Sequence, residues 1–134
     1  MDSIVLWGLA GFVGNFAFAS FFEWVLHRFV MHRPIGRFRY AYQAHTVVHH
    51  RIFKADHTYH LVHEKDKEKI PMDWWNGPVL VAVCMLPSVV AGWITGHWFV
   101  TLGGFLACCC YFAIYEYLHW CMHLPKERRI EKPW

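Results

Sequence analysis

The chain has 134 residues, of which 56% are hydrophobic and only 17% are charged, and its formal net charge is +3 with neutral histidines. This length suits one domain, and the composition is too apolar for a typical soluble domain and indicates a membrane protein. Four of the five cysteines lie in apolar stretches and none forms a Cys-x-x-Cys pair, which excludes a disulfide framework and a zinc ribbon. We expect no nucleic-acid partner.

The first predicted element is a retained membrane-spanning helix. The stretch from Ser3 to Phe22 has no charged residue and reaches the length of about 20 residues that a bilayer requires. We expect the helix to continue past Trp24 and to carry His27, with Pro34 helping to end it. Because His27 and His32 are five apart, they do not share one face of a regular helix, and one of them is expected on the final turn. Small residues are frequent in the span, as they are where helices pack closely in lipid: Gly8, Ala10, Gly11, Gly14 and Ala17.

The following segment, Arg33 to Asp73, is polar, basic and aromatic, which predicts interfacial helices that lie against the membrane. Within it, His45 and His49 are four apart and share a helical face. On a regular helix His50 points about 100° away from His49. Adjacent histidines of this kind can serve two metal ions rather than one.

Two further spans are predicted in the second half of the chain. One runs from Gly77 to Thr95, with Pro87 as a kink. The other runs from Trp98 to Leu118, after a tight turn at 95–97. The fold class is therefore all-α: one integral membrane domain over residues 1–134, with about three spans and interfacial helices.

The basic residues predict the orientation of these spans. Arg28 ends the first apolar stretch, eight Lys and Arg fall between Arg33 and Lys69, and four fall between Lys126 and Lys132. Cytoplasmic loops are enriched in Lys and Arg. We therefore expect both basic segments, and the interfacial helices, on the cytoplasmic side.

Seven histidines fall at the predicted cytoplasmic helix ends and are candidate metal ligands. A single histidine at a membrane interface is more often a cap or a snorkelling side chain, but three multi-histidine groups on one membrane face favour a metal centre. One tetrahedral zinc needs four ligands, so seven imidazoles suggest two ions. Nitrogen-only sites favour zinc or copper on affinity, whereas iron can be selected by availability and geometry. The candidates are His27, His32, His45, His49, His50, His119 and His123. His97 falls at the opposite end and is excluded.

Four other residues are expected to support the ligands rather than to bind metal: Glu23, Glu116, His57 and His60. Glu23 is four residues before His27, and Glu116 is three before His119. A carboxylate that accepts a hydrogen bond from the far ring N–H fixes the tautomer of a ligand. The alternative makes Glu116 a direct ligand, as in soluble di-iron carboxylate bundles, although those need the Glu-x-x-His motif twice. The charged segment with His57, His60 and His63 is equally compatible with a solvated or supporting role and with direct metal ligation.

The boxes His27-x4-His32, His45-x3-His49-His50 and His119-x3-His123, with membrane spans between them, resemble the fatty acid hydroxylase superfamily, which includes sterol desaturase-like membrane oxygenases. The resemblance implies two iron ions, which zinc can replace on isolation, and molecular oxygen as oxidant. It also implies a membrane lipid substrate, such as a fatty acyl chain or a sterol, that is hydroxylated or desaturated in lipid biosynthesis or metabolism. No catalytic residue is expected beyond the metal ligands.

The same resemblance implies an external electron donor, such as a small cytochrome or a ferredoxin. The chain has no Gly-x-Gly-x-x-Gly loop, haem-attachment motif or iron–sulfur cysteines of its own. The family pattern also carries a further His-x-x-His-His box, whereas this sequence ends at Trp134 without one. We therefore expect about three ligands to be missing, and the chain alone to bind metal weakly and not to turn over lipid.

Three rival functions are compatible with a histidine-rich membrane protein. A carotenoid ring hydroxylase usually has two residues, not three, between the first histidine and the pair of its second box. A haem-binding membrane cytochrome needs one histidine on each of two helices within the bilayer, whereas the histidines here come in groups at one interface. A non-enzymatic zinc or copper membrane protein differs from an oxygenase in its metal content and in consuming no oxygen.

Overall fold

The computed structural model describes residues 2–54 and 56–125. Within these ranges all regular structure is helical and no strand is present, as the sequence predicts. The nearest approach to a strand pair is a tight turn in which Ile35 and Phe38 exchange two backbone hydrogen bonds of 3.3 and 2.9 Å. Gly36 provides the positive φ, 52°, that this turn requires. The basic tail Lys126–Lys132, on which part of the predicted orientation depends, lies outside the described residues.

Helix α1 spans Asp2–Val25 and continues into a π-helical stretch, Leu26–Met31. Helix α2 spans residues 40–52 and is π-helical over its middle, Gln43–His49. A 3₁₀ turn, Glu64–Lys69, follows. The remaining helices are α3, Asn76–Cys84, α4, Leu86–Thr95, and α5, Phe99–Met122.

Three helical stretches of the described chain are long and apolar enough to cross a membrane: Ser3–Met31, Asn76–Thr95 and Phe99–Met122. The second stretch is interrupted at Met85, between α3 and α4, where Pro87 sits in the first turn of α4. The predicted kink therefore lies at this proline, which lacks the N–H that an uninterrupted helix would use. Gly96 ends α4 in a left-handed conformation, φ 71°, so the predicted turn is present.

The chain forms two compact units. The membrane unit comprises the described residues of Met1–Glu23 and Asp73–Ile114, and the histidine unit comprises those of Trp24–Met72 and Tyr115–Trp134. Each unit is built from two stretches that are far apart in sequence.

Close helix packing in the membrane unit depends on small and polar residues. A Cβ atom at Gly11 would collide with the backbone of Val100, so the predicted use of small residues is confirmed at this position. Asn15 is 4% exposed, and its amide donates to the carbonyl of Cys84 and the hydroxyl of Ser88, both at 3.1 Å. In an apolar environment such an amide must find partners within the protein.

In the histidine unit, a small hydrophobic core fixes the chain that follows α2. Phe53, Leu61 and Ile70 are 2%, 8% and 2% exposed and form one cluster, against which Trp120 of α5 packs. The segment between α2 and α3 is therefore anchored to the last turns of α5, although most of it is irregular. The predicted helices of this region are α2 and the 3₁₀ turn, and their place at a membrane surface stays a prediction.

Candidate metal centre

The first histidine group combines the end of α1 with α2. His27 and His32 come from the π-helical end of α1 and the residue that caps it, and His45 and His50 come from α2. The Nε2 atom of His45 lies 3.0 Å from Nε2 of His27 and 3.1 Å from Nε2 of His50. The His27 and His32 rings are 4.7 Å apart between centroids. The four imidazoles thus surround one small volume.

The π-helical turns explain why residues five apart in sequence meet. In a π-helix the backbone bond runs from residue i+5 to residue i, so the turn contains one more residue than in a 3.6-residue α-helix. The N–H of His50 bonds to the carbonyl of His45, five residues earlier. His27 and His32 have the same spacing across the π-helical end of α1. The expectation that one of the two lies on the final turn of the helix fits His32, which caps the π-helical end of α1.

Thr46 connects the two halves of the first group. Its hydroxyl donates to the carbonyl of Met31 at 2.7 Å and lies 3.4 Å from Nδ1 of His32. The contact holds α2 against the residue that ends α1. Sequence reasoning missed Thr46, because a threonine beside a histidine carries no signal of its own.

The second group combines α2 with the end of α5 and is more enclosed. His49, His119 and His123 form it, and their ligand atoms lie within 4.8 Å of one another. His49 and His123 are 7% and 4% exposed. The Nε2 atoms of His49 and His119 are 3.3 Å apart, and the Phe53 ring lies 4.5 Å from that of His123.

Backbone carbonyls orient two of these three rings. The Nδ1 atom of His49 lies 3.1 Å from the Lys69 carbonyl, and that of His123 lies 2.8 Å from the Tyr59 carbonyl. A carbonyl oxygen only accepts hydrogen bonds. Both Nδ1 atoms must therefore carry the proton in the neutral rings, so each Nε2 atom keeps the lone pair that a metal ligand needs.

Helix α2 joins the two groups, since it supplies ligands to both. His49 belongs to the second group, whereas its neighbours His45 and His50 belong to the first. The His49 ring lies 5.6 Å from each of these two rings. The expectation that adjacent histidines serve different ions fits this arrangement. The expectation that His45 and His49 share a helical face does not make them ligands of one group: the helix is π-helical up to His49, and His45 groups with His50, five residues later.

Electrostatics keep the α2 histidines neutral near pH 7. Burial, reinforced by the neighbouring imidazoles, lowers the pKa of His45 from its usual 6.5 to about 3. Burial likewise lowers the pKa of His49 to about 4, although its hydrogen bond to the Lys69 carbonyl acts in the opposite direction. The pKa of His50 is also lowered, by burial and by His32. A neutral imidazole has a free lone pair, which is what a metal ligand needs.

The spacing of the nitrogen atoms fits coordination of an ion. Imidazole nitrogens bound at about 2.0–2.1 Å lie about 3.3–3.4 Å apart around a tetrahedral ion, and about 2.9 Å apart at right angles around an octahedral one. The three Nε2 separations, 3.0, 3.1 and 3.3 Å, match this range. Each group could hold a metal ion, and no carboxylate or thiol joins either group among the described residues.

The four residues expected to support the ligands have different outcomes. Glu116 Oε1 and His119 Nδ1 are both buried without hydrogen-bond partners, so the predicted hydrogen bond between these two atoms is absent. Backbone carbonyls take this role for His49 and His123, and no sequence pattern marks a carbonyl. His60 Nδ1 lies 3.2 Å from the Met122 carbonyl, beside His123, whereas His57 is exposed and in neither group. Glu23 belongs to the membrane unit, and its pairing with His27 stays a prediction.

His97 lies in the membrane unit, where its ring stacks on Trp7 at 4.5 Å, and it belongs to neither group.

Comparison of the chain with models of protein families, with curated proteins and with solved structures found no match. The likeness to the fatty acid hydroxylase superfamily therefore depends on the histidine spacing and the membrane spans between the histidine groups.

Proposed function

We propose that this chain carries the metal centre of a membrane oxidoreductase that uses molecular oxygen to hydroxylate or desaturate a lipid. The observation that supports it best is the pair of adjacent all-imidazole groups, in which nitrogens converge at 3.0–3.3 Å. Three of its helices are long and apolar enough to cross a membrane. The bilayer around such helices would supply the centre with an apolar substrate. Together with the histidine spacing, these features favour a lipid such as a fatty acyl chain or a sterol.

In this proposal the first group and the second group hold one iron ion each. When bound, the iron pair supplies the redox chemistry by which oxygen attacks a C–H bond, with electrons from an external small cytochrome or ferredoxin. The protein's own contribution is positional. Helix α2 sets the separation of the two groups, the Tyr59 and Lys69 carbonyls orient His123 and His49, and Phe53 helps to exclude water from the second group.

The sidedness of the centre is part of the proposal. The basic segment Arg33–Lys69 contains α2 and follows directly after the first span. The excess of Lys and Arg in cytoplasmic loops favours placing this segment, and with it the histidines, at the cytoplasmic face. A lipid substrate then reaches the centre from the bilayer without crossing water.

The test uses the full chain, loaded with iron in lipid nanodiscs and supplied with a ferredoxin and its reductase. A second arm carries an appended segment with a His-x-x-His-His box, the further box of the resembled family pattern. In this second arm we expect lipid-dependent oxygen uptake and transfer of ¹⁸O from ¹⁸O₂ into the lipid for hydroxylation, or a product two hydrogens lighter for desaturation. His49→Ala should abolish turnover and His97→Ala should not. The proposal is wrong if both arms hold two irons and neither oxidises lipid.

A second candidate is a non-enzymatic zinc or copper membrane protein. Its support is the donor set, since both groups consist of imidazole alone among the described residues, and nitrogen sites bind copper and zinc more tightly than ferrous iron. Metal analysis after expression in iron-replete medium separates the two candidates. Zinc or copper at two equivalents, with no oxygen uptake after exchange to iron, supports the second one.

A further inference from the structure

We propose that Glu116 positions His119 when the second group binds a metal ion, by accepting a hydrogen bond from a ring proton that moves on binding. The inference depends on the metal centre of the proposed function but not on lipid turnover. It starts from two buried polar atoms of α5, Glu116 Oε1 and His119 Nδ1, that have no hydrogen-bond partner in the described structure. Buried polar atoms are usually paired, so each such exception requires a reason.

The reason follows from the tautomers of the second group. His49 donates its Nδ1 proton to the Lys69 carbonyl, so its Nε2 atom, when the ring is neutral, can only accept. The Nε2 atom of His119 lies 3.3 Å away from it. In the ion-free group His119 must therefore donate from Nε2, which leaves its Nδ1 as an acceptor facing no donor.

Metal binding reverses this arrangement at His119 alone. An ion bound by Nε2 needs the lone pair that the proton occupies, so the proton must move to Nδ1 for the ring to stay neutral. His49 and His123 need no such change, because their Nδ1 protons already bond to carbonyls. The new Nδ1–H of His119 then requires an acceptor of its own.

Glu116 is placed to be that acceptor. It lies three residues before His119 on α5, a spacing at which side chains on a helix can touch. Its Oε1 atom is buried and unpartnered, and a carboxylate oxygen accepts a hydrogen bond strongly. The Glu116 carboxylate already bonds to the backbone of Met72, so its unpartnered Oε1 atom is the one left for His119. A hydrogen bond between Oε1 and the new Nδ1–H would give both atoms a partner.

The competing role for Glu116 is direct coordination. Glu116 is not among the residues whose ligand atoms converge in either group. Direct binding would also leave Nδ1 of His119 without an acceptor. The two roles therefore predict different effects of substitution. Loss of a ligand removes the ion, whereas loss of a hydrogen-bond acceptor only weakens the binding of the ion.

The experiment titrates the full, ¹⁵N-histidine-labelled chain with Zn²⁺ in nanodiscs and follows ring nitrogen shifts. His119 should change from the Nε2–H to the Nδ1–H form with zinc, while His49 and His123 stay Nδ1–H throughout. Glu116→Ala should weaken zinc binding at the second group by about 100-fold, and Glu116→Gln, whose amide oxygen still accepts, by about 10-fold. Glu64→Ala, at an exposed carboxylate of the same unit, is the matched control and should change nothing.

Three results would overturn the proposal. His119 could already be Nδ1–H without zinc, Glu116→Ala could bind zinc as tightly as the parent chain, or Glu116→Ala could lose the ion as completely as His119→Ala. The last result identifies Glu116 as a ligand. A chain that binds no zinc at either group would refute the metal centre itself, which is a different failure.

Discussion

The two groups should respond differently to the loss of one histidine, because they have different numbers of ligands. The first group has four imidazoles and the second has three among the described residues. His32→Ala leaves three ligands for the first ion, whereas His49→Ala or His119→Ala leaves two for the second. We therefore expect His32→Ala to retain two ions with weakened affinity, and each second-group variant to retain one.

The size of the effect follows from the ligand count. A structural zinc site of four ligands contributes about 10–16 kcal/mol of binding free energy, or about 2.5–4 kcal/mol per ligand. At about 1.4 kcal/mol per factor of ten, each lost ligand weakens binding by about 10²- to 10³-fold. The second group has one ligand fewer than a four-ligand site, so its affinity is already lower by one such factor. When a substitution removes another of its ligands, the group should not hold its metal ion through a desalting column.

Zinc stoichiometry after desalting, measured by elemental analysis, checks this prediction. His97→Ala is the matched control, since it removes an imidazole that belongs to neither group. The helical circular dichroism of each variant must match that of the parent, because His49 is buried against Phe53 and its loss leaves a cavity. Retention of two ions by both His49→Ala and His119→Ala would refute the assignment of the second group.

Three further outcomes are expected. The metal-free fold should lose stability as pH falls from about 6.5 towards 3. The folded pKa of His45, about 3, lies below its unfolded value, so the unfolded chain binds more protons in this window. Chemical denaturation at several pH values should show a smaller change of unfolding free energy with pH in His45→Ala than in the parent chain. His60→Ala should weaken zinc binding at the second group, because it releases a hydrogen bond to the Met122 carbonyl, whereas His63→Ala at an exposed site should not. Asn15→Ala should destabilise the membrane unit by about 0.6–1.7 kcal/mol in detergent unfolding, and Val13→Ala, at a 65% exposed position, by less than about 0.5 kcal/mol.

The helices and the choice of histidines could be predicted from sequence because both depend on local patterns. Uncharged stretches near 20 residues mark the spans, and Pro87 marks the interruption of the second. All seven predicted ligands lie in the two groups. Their division into four and three could not be foreseen, since it depends on which side of α2 each histidine faces.

The differences between prediction and structure arise where the backbone, rather than a side-chain pattern, decides the geometry. A π-helical turn leaves no periodic signature in the sequence, so the angle between His49 and His50 was assigned from an ideal α-helix. The carbonyls of Tyr59 and Lys69 were missed because every residue has a carbonyl, and only the fold selects which one meets a histidine. Glu116 was expected to take this role on spacing alone, yet its Oε1 atom has no partner.

The π-helical segment of α2 and the residue that caps it carry ligands of both groups. If the two sets of ligands came from separate elements, their separation would vary with every shift in packing between those elements. Here His45 and His50 serve the first group and His49, between them in sequence, serves the second. The part of the spacing that α2 controls is therefore fixed by one hydrogen-bonded turn, in which His50 bonds to the carbonyl of His45, while the remaining ligands come from the end of α1 and from α5. In the proposed function the two ions would need a fixed separation, and ligands that share one hydrogen-bonded turn of α2 would help to hold it.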